Sequence, residues 1–446
     1  MKGTQQEHRP AAVAEVGPNQ AGDIRSRWDW VEPGVWTERM LTALEEGVKG
    51  GVWFSLMDKV ESLRGLAAGW KRVQANRGGG GVDHETVQRF AREAESRLSE
   101  LSEQLKRGTY QPLPVRRAYI RKPDGSSRPL GIPAVRDRIV QASLRNVLEP
   151  IFEKEFCEQS YGFRPKRGAK DALRRVDGLL QAGYHYVVDA DLKSYFDTIP
   201  HDRLMSLVRR RVADGRVLTL VESYLQQGVM EDMREWKPTQ GTPQGAVVSP
   251  LLANIYLHPL DQIMRDAGYE MTRYADDFVV QCRTRQEAEQ VLEAIRQWVN
   301  AAGLTLHPDK TRIVNANEPG GFDFLGYHFE QGGRWPRRRS LQKFKDAIRS
   351  KTKRANGHSL GQIIVQINQT TRGWYGYFKH SHQSVFKELD GWIRMRLRSI
   401  LRKRSGGRGR GRGQDHYRWP NAYFRAQGLF TMCQAHAWEC RFVYNH

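Results

Sequence analysis

The chain has 446 residues, a formal net charge of +21, and a composition of 39% hydrophobic and 27% charged residues, as in globular proteins. This length allows two or three domains with buried cores. No apolar run reaches the ~18 residues of a membrane helix, and the polar N-terminus lacks a signal-peptide pattern, so we expect a cytoplasmic protein without membrane contacts.

The sequence predicts elements that change in character along the chain. We expect a disordered extension at 1–27 and a helical part at 28–117, broken by the glycine run at 77–83. A β-hairpin with a Pro-Asp-Gly turn is predicted at 118–133. Helices then alternate with strands up to residue 330, and a helical, basic stretch follows at 331–404. A linker and a small C-terminal nucleic-acid-binding segment complete the chain at 405–446, and the linker includes the glycine-arginine run at 408–413.

The positive charge is concentrated near the C-terminus. Residues 334–412 contain 22 lysines and arginines but only three acidic residues, which accounts for most of the excess. Aromatic residues interleave with these charges and could stack on bases, so the stretch predicts a surface for a polyanion. A generic solvated basic face is the alternative. The four cysteines form no CxxC pair and favour reduced, mostly buried thiols over a disulfide or zinc framework.

Three segments carry the chemistry. Tyr274-Ala275-Asp276-Asp277 reads as a tight turn between apolar strands, and its adjacent carboxylates repel each other unless a cation such as Mg²⁺ lies between them. An apolar strand leads into a second pair of acids, Asp189 and Asp191, which share one strand face. The third segment, 240–257, reads as a loop that leads into a helix, and its Gly241 and Gly245 permit close approach to a ligand. Each segment taken alone could be an ordinary turn or loop.

The order and spacing of these segments, about 50 and then about 30 residues, match the palm of a template-directed polymerase. The sequence resembles the reverse transcriptases encoded by bacterial group II introns over nearly the whole chain from about residue 50. Further blocks carry the resemblance, among them GGGVDHETV (79–87), RPLGIPAVRDRIVQ (128–141), QSYGFRPKRGAKDAL (159–173), HPDKT (307–311), FDFLGYHF (322–329) and TRGWYGYFKH (371–380). The resemblance implies an α+β right-hand polymerase, with fingers and palm built on antiparallel sheet, followed by an all-α thumb or maturase domain.

The resemblance also implies a role for individual residues. Asp191, Asp276 and Asp277, with the backbone carbonyl of Leu192, match the ligands of two Mg²⁺ ions, with Mn²⁺ as an alternative. Phe196 matches the bulky ring that selects dNTPs over rNTPs. The other expected dNTP contacts are Lys122, Arg128 and Gln244. The chemistry would be an in-line attack by a primer hydroxyl on an α-phosphate, assisted by two metal ions.

The expected partners are an intron RNA template, a DNA primer or target, and dNTPs. The residues expected to contact RNA or DNA are Arg337, Arg338, Arg339, Lys343, Arg372, Trp374, Lys379, Arg402, Lys403 and Arg404. Neutralising many phosphates predicts binding that weakens steeply with salt. The chain lacks the paired cysteines of the C-terminal HNH endonuclease found in many such proteins, so we expect it to use another source of primer.

Other functions stay open at the level of sequence. One is an RNA-binding splicing factor whose polymerase activity has lapsed, although the three aspartates argue against decay. Another is a relative recruited to defence or DNA repair. A viral RNA-dependent RNA polymerase is disfavoured, because that class usually carries Gly-Asp-Asp and lacks a bulky ring beside the sugar.

Overall fold

A computed structural model describes residues 21–443 except 122–124, 126, 232–233 and 356. The helices are α1 (Ala21–Arg27), α2 (Glu38–Glu46), α3 (Met57–Val60), α4 (Leu63–Asn76), α5 (Val87–Arg92), α6 (Ala94–Arg107), α7 (Val135–Glu153), α8 (Ala169–Gln181), α9 (Tyr195–Thr198), α10 (His201–Arg209), α11 (Gly215–Leu225), α12 (Ser249–Asp266), α13 (Arg285–Ala301), α14 (Arg338–Lys351), α15 (Leu360–Phe378), α16 (Gln383–Arg404), α17 (Gln414–Arg418), α18 (Asn421–Ala426) and α19 (Met432–Val443). A short 3₁₀ turn lies at Lys49–Gly51.

The strands are β1 (Val115–Arg121), β2 (Ser127–Ile132), β3 (Tyr186–Asp191), β4 (Val229–Glu231), β5 (Arg234–Trp236), β6 (Glu270–Tyr274), β7 (Asp277–Cys282), β8 (Arg312–Asn315), β9 (Phe322–Phe324), β10 (Tyr327–Glu330) and β11 (Gly333–Pro336). They form three sheets, with the strand orders β2-β1-β4-β5, β6-β7-β3-β8 and β11-β10-β9. The predicted α+β fold class is confirmed.

The chain divides into two compact units. Unit 1 comprises the described residues of Met1–Ala172, Ala190–Val280 and Glu289–Arg312. Unit 2 comprises Leu173–Asp189, Gln281–Ala288 and those of Ile313–His446. Both units draw on segments that are distant in sequence, so neither coincides with a predicted domain.

The hairpin in unit 1 has the predicted antiparallel pairing, with Arg116 opposite Ile132 and Ile120 opposite Arg128. The other neighbour of β1 is β4, which runs parallel to it, so this sheet is mixed and not wholly antiparallel. Parallel neighbours need a long crossover connection, and here several helices and β3 supply it.

Two predictions about the N-terminal region need correction. Residues 1–20 lie outside the described residues, but Ala21–Arg27 is helical where we expected disorder. Its Ile24 is 4% exposed, and Arg25 donates a hydrogen bond to the Trp36 carbonyl at 2.9 Å. Burial of an apolar side chain and satisfaction of a carbonyl offset the cost of ordering this segment.

The glycine run is also more than a break between helices. The Arg138 guanidinium donates to the Gly79 carbonyl at 2.7 Å, and Arg116 donates to the Gly80 carbonyl at 2.9 Å. A Cβ atom at Gly81 would lie 2.5 Å from the Ala134 backbone. The glycines therefore let this segment pack against its neighbours, which larger side chains would prevent.

The helices of unit 2 share one hydrophobic core. Phe344 of α14, Ile367 of α15 and Phe386 of α16 are buried in it, and so are Trp419 and Phe424 of the C-terminal segment. The predicted boundary at residue 405 therefore does not separate two bodies, since both sides bury side chains in the same cluster. No helix in the described part of the chain is both long and apolar enough to span a bilayer.

Candidate active site

The turn between β6 and β7 carries Asp276, and Asp277 begins β7; both side chains are half-buried. Ala275 opens this turn with a φ of 61°, a left-handed conformation that an alanine adopts only at a cost. Beside it, a Cβ atom at Gly162 would lie 2.2 Å from the Ala275 nitrogen. Glycine at 162 is thus required for the close packing that holds the turn.

A buried arginine on β6 supports the same turn. Arg273 is 0% exposed, and its guanidinium donates to both carboxylate oxygens of Asp261, at 2.7 and 2.5 Å. It also donates to the Ala275 carbonyl and to Asn254 Oδ1, each at 2.9 Å. Burial alone would lower the pKa of Arg273, but Asp261 raises it above its ordinary value, so the guanidinium stays charged.

The network extends to the glycine beside the turn, because Asn254 Nδ2 donates to the Gly162 carbonyl at 2.8 Å. The side chains of Asn254 and Asp261 are both buried, on α12. Sequence reasoning missed this group of residues. The available signal was an arginine inside a predicted strand, together with an acid on a mostly apolar helix, a combination that predicts a buried ion pair.

Asp191 is the last residue of β3, and β3 lies next to β7 in the sheet. Its carboxylate, with 34% of the side chain exposed, forms an ion pair with Lys310 Nζ at 2.6 Å. Its backbone carbonyl accepts a hydrogen bond from His307 at 2.7 Å, and Leu192 forms a bridge with Leu306. Lys310 is a second residue that sequence reasoning missed, although it belongs to the HPDKT block.

The aromatic pair after Asp191 begins α9. Tyr195 is buried and donates to the Ala253 carbonyl at 2.6 Å. Burial raises the pKa of Tyr195 far above its ordinary value, and the Asp276 carboxylate also raises it. The hydrogen bond to Ala253 holds Tyr195, four residues after Asp191, against α12.

Phe196 lies next to the loop that carries Gln244. Phe196 is 7% exposed, and its carbonyl accepts a hydrogen bond from the Thr242 nitrogen at 2.7 Å. Gln244 Nε2 donates to Asp197 Oδ2 at 3.3 Å, and both residues line a cavity of about 300 Å³. Arg117 lines the same cavity and is a further residue that sequence reasoning missed. The cavity is open, and most of its lining surface is apolar.

The other predicted nucleotide contacts are only partly described. Lys122 lies outside the described residues, and of Arg128 only the backbone is described, on β2 opposite Ile120. In the described part of the chain, no three His, Cys, Asp or Glu side chains are gathered as a metal site. The chemistry of the residues still suits a hard cation, because all three aspartates offer carboxylate oxygens and the Lys310 ammonium occupies a cation position at Asp191.

The predicted nucleic-acid contacts in unit 2 fall into two groups. Arg338, Arg339, Lys343, Arg372 and Lys403 are exposed. Others bind protein groups: Arg337 lies 4.0 Å from Asp323, Lys379 pairs with Glu439 at 3.0 Å, Arg402 pairs with Asp415 at 2.6 Å, and Arg404 donates to the His358 carbonyl. These pairings reduce the charge that the second group offers to a polyanion.

The interpretation of the aromatic residues in unit 2 as free stacking surfaces needs correction. Tyr375 and Phe378 are buried, and Trp374 lies between Phe344 and Phe378 with ring centroids 4.7 and 4.8 Å away. On a helix, residues three and four positions apart share a face, as Phe378 does with Tyr375 and Trp374, and here that face points to the core. The interleaving of aromatics with charges therefore reflects an amphipathic helix.

Two family models match successive parts of the chain. Residues 120–329 match the family model described as "Reverse transcriptase (RNA-dependent DNA polymerase)", and residues 341–418 match "Group II intron, maturase-specific domain". Protein YkfC of Escherichia coli is 38% identical over 269 residues, which cover 52% of this chain and 70% of that protein.

Group II intron-encoded protein LtrA of Lactococcus lactis is 37% identical over 326 residues, which cover 58% of this chain and 53% of LtrA. The chain thus spans about half the length of LtrA. Among solved structures, telomerase from Candida albicans aligns over 71% of this chain and 64% of its own at 14% identity and a TM-score of 0.40, which is too low to support an argument.

Proposed function

The chain belongs to the reverse transcriptase family and carries a group II intron maturase-specific domain, and from this premise we propose that it is an RNA-directed DNA polymerase. It would extend a DNA primer on an RNA template, with dNTPs as substrates and a group II intron RNA as the natural template. A second role, in splicing that RNA, would fall to the helical unit.

The observation that carries this proposal is the supported turn of Asp276 and Asp277 beside the strand that ends in Asp191. These three carboxylates, with the Leu192 carbonyl, would hold two divalent cations, Mg²⁺ by the chemistry of the donors. When bound, the cations would activate the primer hydroxyl and stabilise charge on the phosphates. Lys310 would neutralise Asp191 until a cation takes its place.

The chain's own residues would select and position the nucleotide. Phe196 is held by the Thr242 hydrogen bond and by an edge contact with Tyr195, whose ring centroid is 5.5 Å away. A ring fixed in this way would leave no room for a ribose 2′-hydroxyl. Gln244 would line the nucleotide pocket, and Lys122 and Arg128 would offset the charge of the triphosphate.

Primer extension on an RNA template with dNTPs and Mg²⁺ tests the proposal. The variant Asp276→Asn keeps the shape of the side chain and removes its charge, so we expect extension to fall by at least a thousandfold, which corresponds to ~4 kcal/mol of transition-state stabilisation. Asp266→Asn is the matched control, because Asp266 is exposed at the end of α12.

Two outcomes would contradict the proposal. If the folded wild-type protein binds RNA but does not extend the primer, the splicing-factor function becomes the better one. If Asp276→Asn extends primers as well as Asp266→Asn does, polymerisation takes place without the proposed carboxylates.

A further inference from the structure

Unit 2 contains a cavity of about 230 Å³ whose walls are mostly polar. Four arginines line it, Arg349, Arg354, Arg396 and Arg410, together with Thr352, Trp392, Met395 and Ser399. We call this cavity the arginine pocket. The arginines come from α14, the loop after it, α16 and the glycine-arginine run. No described acidic residue lines the pocket, so four positive charges face one small volume.

The pocket has fixed walls on one side. Arg396 Nε donates to Thr352 Oγ1 at 2.5 Å, and Arg396 Nη2 donates to the Thr352 carbonyl at 3.1 Å. Thr352 is 1% exposed, so this anchor is shielded from solvent. Within the described part of the chain, Arg396 Nη1 has no protein acceptor, so it can donate to a ligand.

Trp392 contacts two of the guanidinium groups. The guanidinium carbons of Arg349 and Arg396 lie 5.8 and 5.4 Å from the centroid of its ring. Cation–π contacts of this kind hold an arginine in place without neutralising it. Because arginines already contact the Trp392 ring, the ring is not available to stack on a base. The pocket therefore favours an anion.

The glycine-arginine run contributes a wall and is not a free linker at this point. Gly411 is buried, and its nitrogen donates to Ser399 Oγ at 3.3 Å. A Cβ atom at Gly411 would lie 2.7 Å from Arg398 Cβ, so the close approach depends on glycine. This contact brings Arg410, the preceding residue, to the pocket.

The charges in the pocket are only slightly compensated. Arg349 forms an ion pair with Asp346 at 2.6 Å, whereas Arg396 pairs with no carboxylate in the described residues. Burial lowers the pKa of Arg396, and the neighbouring Arg349 and Arg354 lower it further. Like charges held together by the fold are relieved when an anion binds among them.

We propose that the arginine pocket binds a single phosphate group of an RNA backbone. Guanidinium groups match phosphate oxygens with paired hydrogen bonds, and several of them surround a phosphate better than one ammonium can. None of the four arginines is among the basic residues expected from the sequence to contact RNA or DNA. The identity of the nucleic acid rests on the proposed function, but the anion site rests on geometry alone.

The test compares two double variants of the full chain. Arg354→Gln/Arg410→Gln removes two exposed arginines of the pocket and leaves the Arg396 anchor intact. Lys353→Gln/Arg408→Gln removes two charges at nearby exposed positions in the same two segments, outside the pocket. The measurement is the affinity for a fluorescein-labelled RNA hairpin without dNTPs, as a function of KCl concentration.

We expect the pocket variant to lose tenfold or more in affinity at fixed salt, and the control variant to lose less than threefold. We also expect the salt slope of the pocket variant to flatten by about 0.7 to 0.9, the change for one phosphate contact. Equal losses in the two variants would overturn the proposal, since they would indicate only a diffuse basic face.

A second measurement separates RNA phosphate from free phosphate. If inorganic phosphate raises the melting temperature of wild type but not of the pocket variant, while both variants bind RNA equally, the pocket is an anion site that RNA does not use, and the proposal fails. Primer extension keeps the two proposals apart. If wild type extends primers but the pocket and control variants bind RNA equally, only the pocket proposal is overturned. If the pocket variant loses RNA affinity but wild type does not extend primers, only the polymerase proposal is overturned.

Discussion

Arg273 in unit 1 and the pocket arginines in unit 2 have opposite roles. In unit 1, Arg273 is fully buried, and Asp261, Asn254 and the Ala275 carbonyl satisfy its guanidinium. In unit 2, Arg354 and Arg410 are exposed at a pocket without described carboxylates. A compensated arginine fixes the position of its neighbours, and an uncompensated one is free to bind a partner. Neither behaviour can be inferred from the count of charges.

The largest effect should come from removing Arg273, the arginine whose charge is compensated. Arg273→Met leaves the Asp261 carboxylate buried without its partner, which typically costs ~3–5 kcal/mol. We expect a loss of that size in the free energy of unfolding, measured by urea denaturation, and loss of primer extension. Arg265→Met is the matched control, because Arg265 is half-exposed and pairs with its neighbour Asp266.

A second variant distinguishes the contribution of Arg273 to the position of the turn from its contribution to the stability of the fold. Arg273→Met/Asp261→Leu removes both charges, so most of the lost stability should return. The Ala275 carbonyl still lacks its donor, and we therefore expect extension to stay at least tenfold below wild type. If the double variant recovers full activity, the guanidinium contributes only to stability.

A buried acid in unit 1 sharpens the comparison, because neutral groups supply most of its hydrogen bonds. Asp137 accepts from the Tyr110 hydroxyl at 2.7 Å and from the Leu113 nitrogen at 3.0 Å. Burial raises the pKa of Asp137 from 3.8 to about 6. Folding therefore favours the protonated form, so its contribution to stability is complete below pH 4 and is lost as the pH rises through 6.

The size of this loss follows from the shift in pKa, on the order of 3 kcal/mol between pH 4 and pH 7. Asp137→Asn has no such proton to lose, so its free energy of unfolding should change less over this range than that of wild type. Urea denaturation at several pH values measures the difference. Parallel pH profiles would mean that Arg136, 3.5 Å from the carboxylate, already stabilises its charge.

The smallest of these effects concerns Phe196, which we propose lies beside the sugar of the incoming nucleotide. Phe196→Ala should admit ribonucleotides, so the preference for dNTPs should drop roughly tenfold to a hundredfold, or about 1.4 to 2.8 kcal/mol. The measurement is the ratio of kcat/KM for dCTP and CTP. Phe196→Tyr keeps the ring and should keep the preference. An unchanged ratio in the alanine variant would assign selection to another residue.

The sequence predicted the elements of the candidate site better than the contacts that support it. Short apolar strands around Asp191 and Asp276 are a local pattern, and the structure contains them. Arg273 and Lys310 were missed because their partners lie 12 and 119 residues away, and only the fold brings them together. The buried aromatics of unit 2 were misjudged because composition does not tell which helix face packs inward.

The buried carboxylate of Asp390 has a consequence for the way the protein is made. It accepts hydrogen bonds from the Met432 and Cys433 nitrogens, at 3.1 and 3.0 Å, and so caps the helix that begins at Met432. The ribosome synthesises α16 well before α19. Until α19 has been made, the Asp390 carboxylate lacks these two hydrogen bonds and the core around it is incomplete. Folding of unit 2 is therefore expected to be complete only after α19 has been made, and until then chaperones could bind the exposed apolar surface.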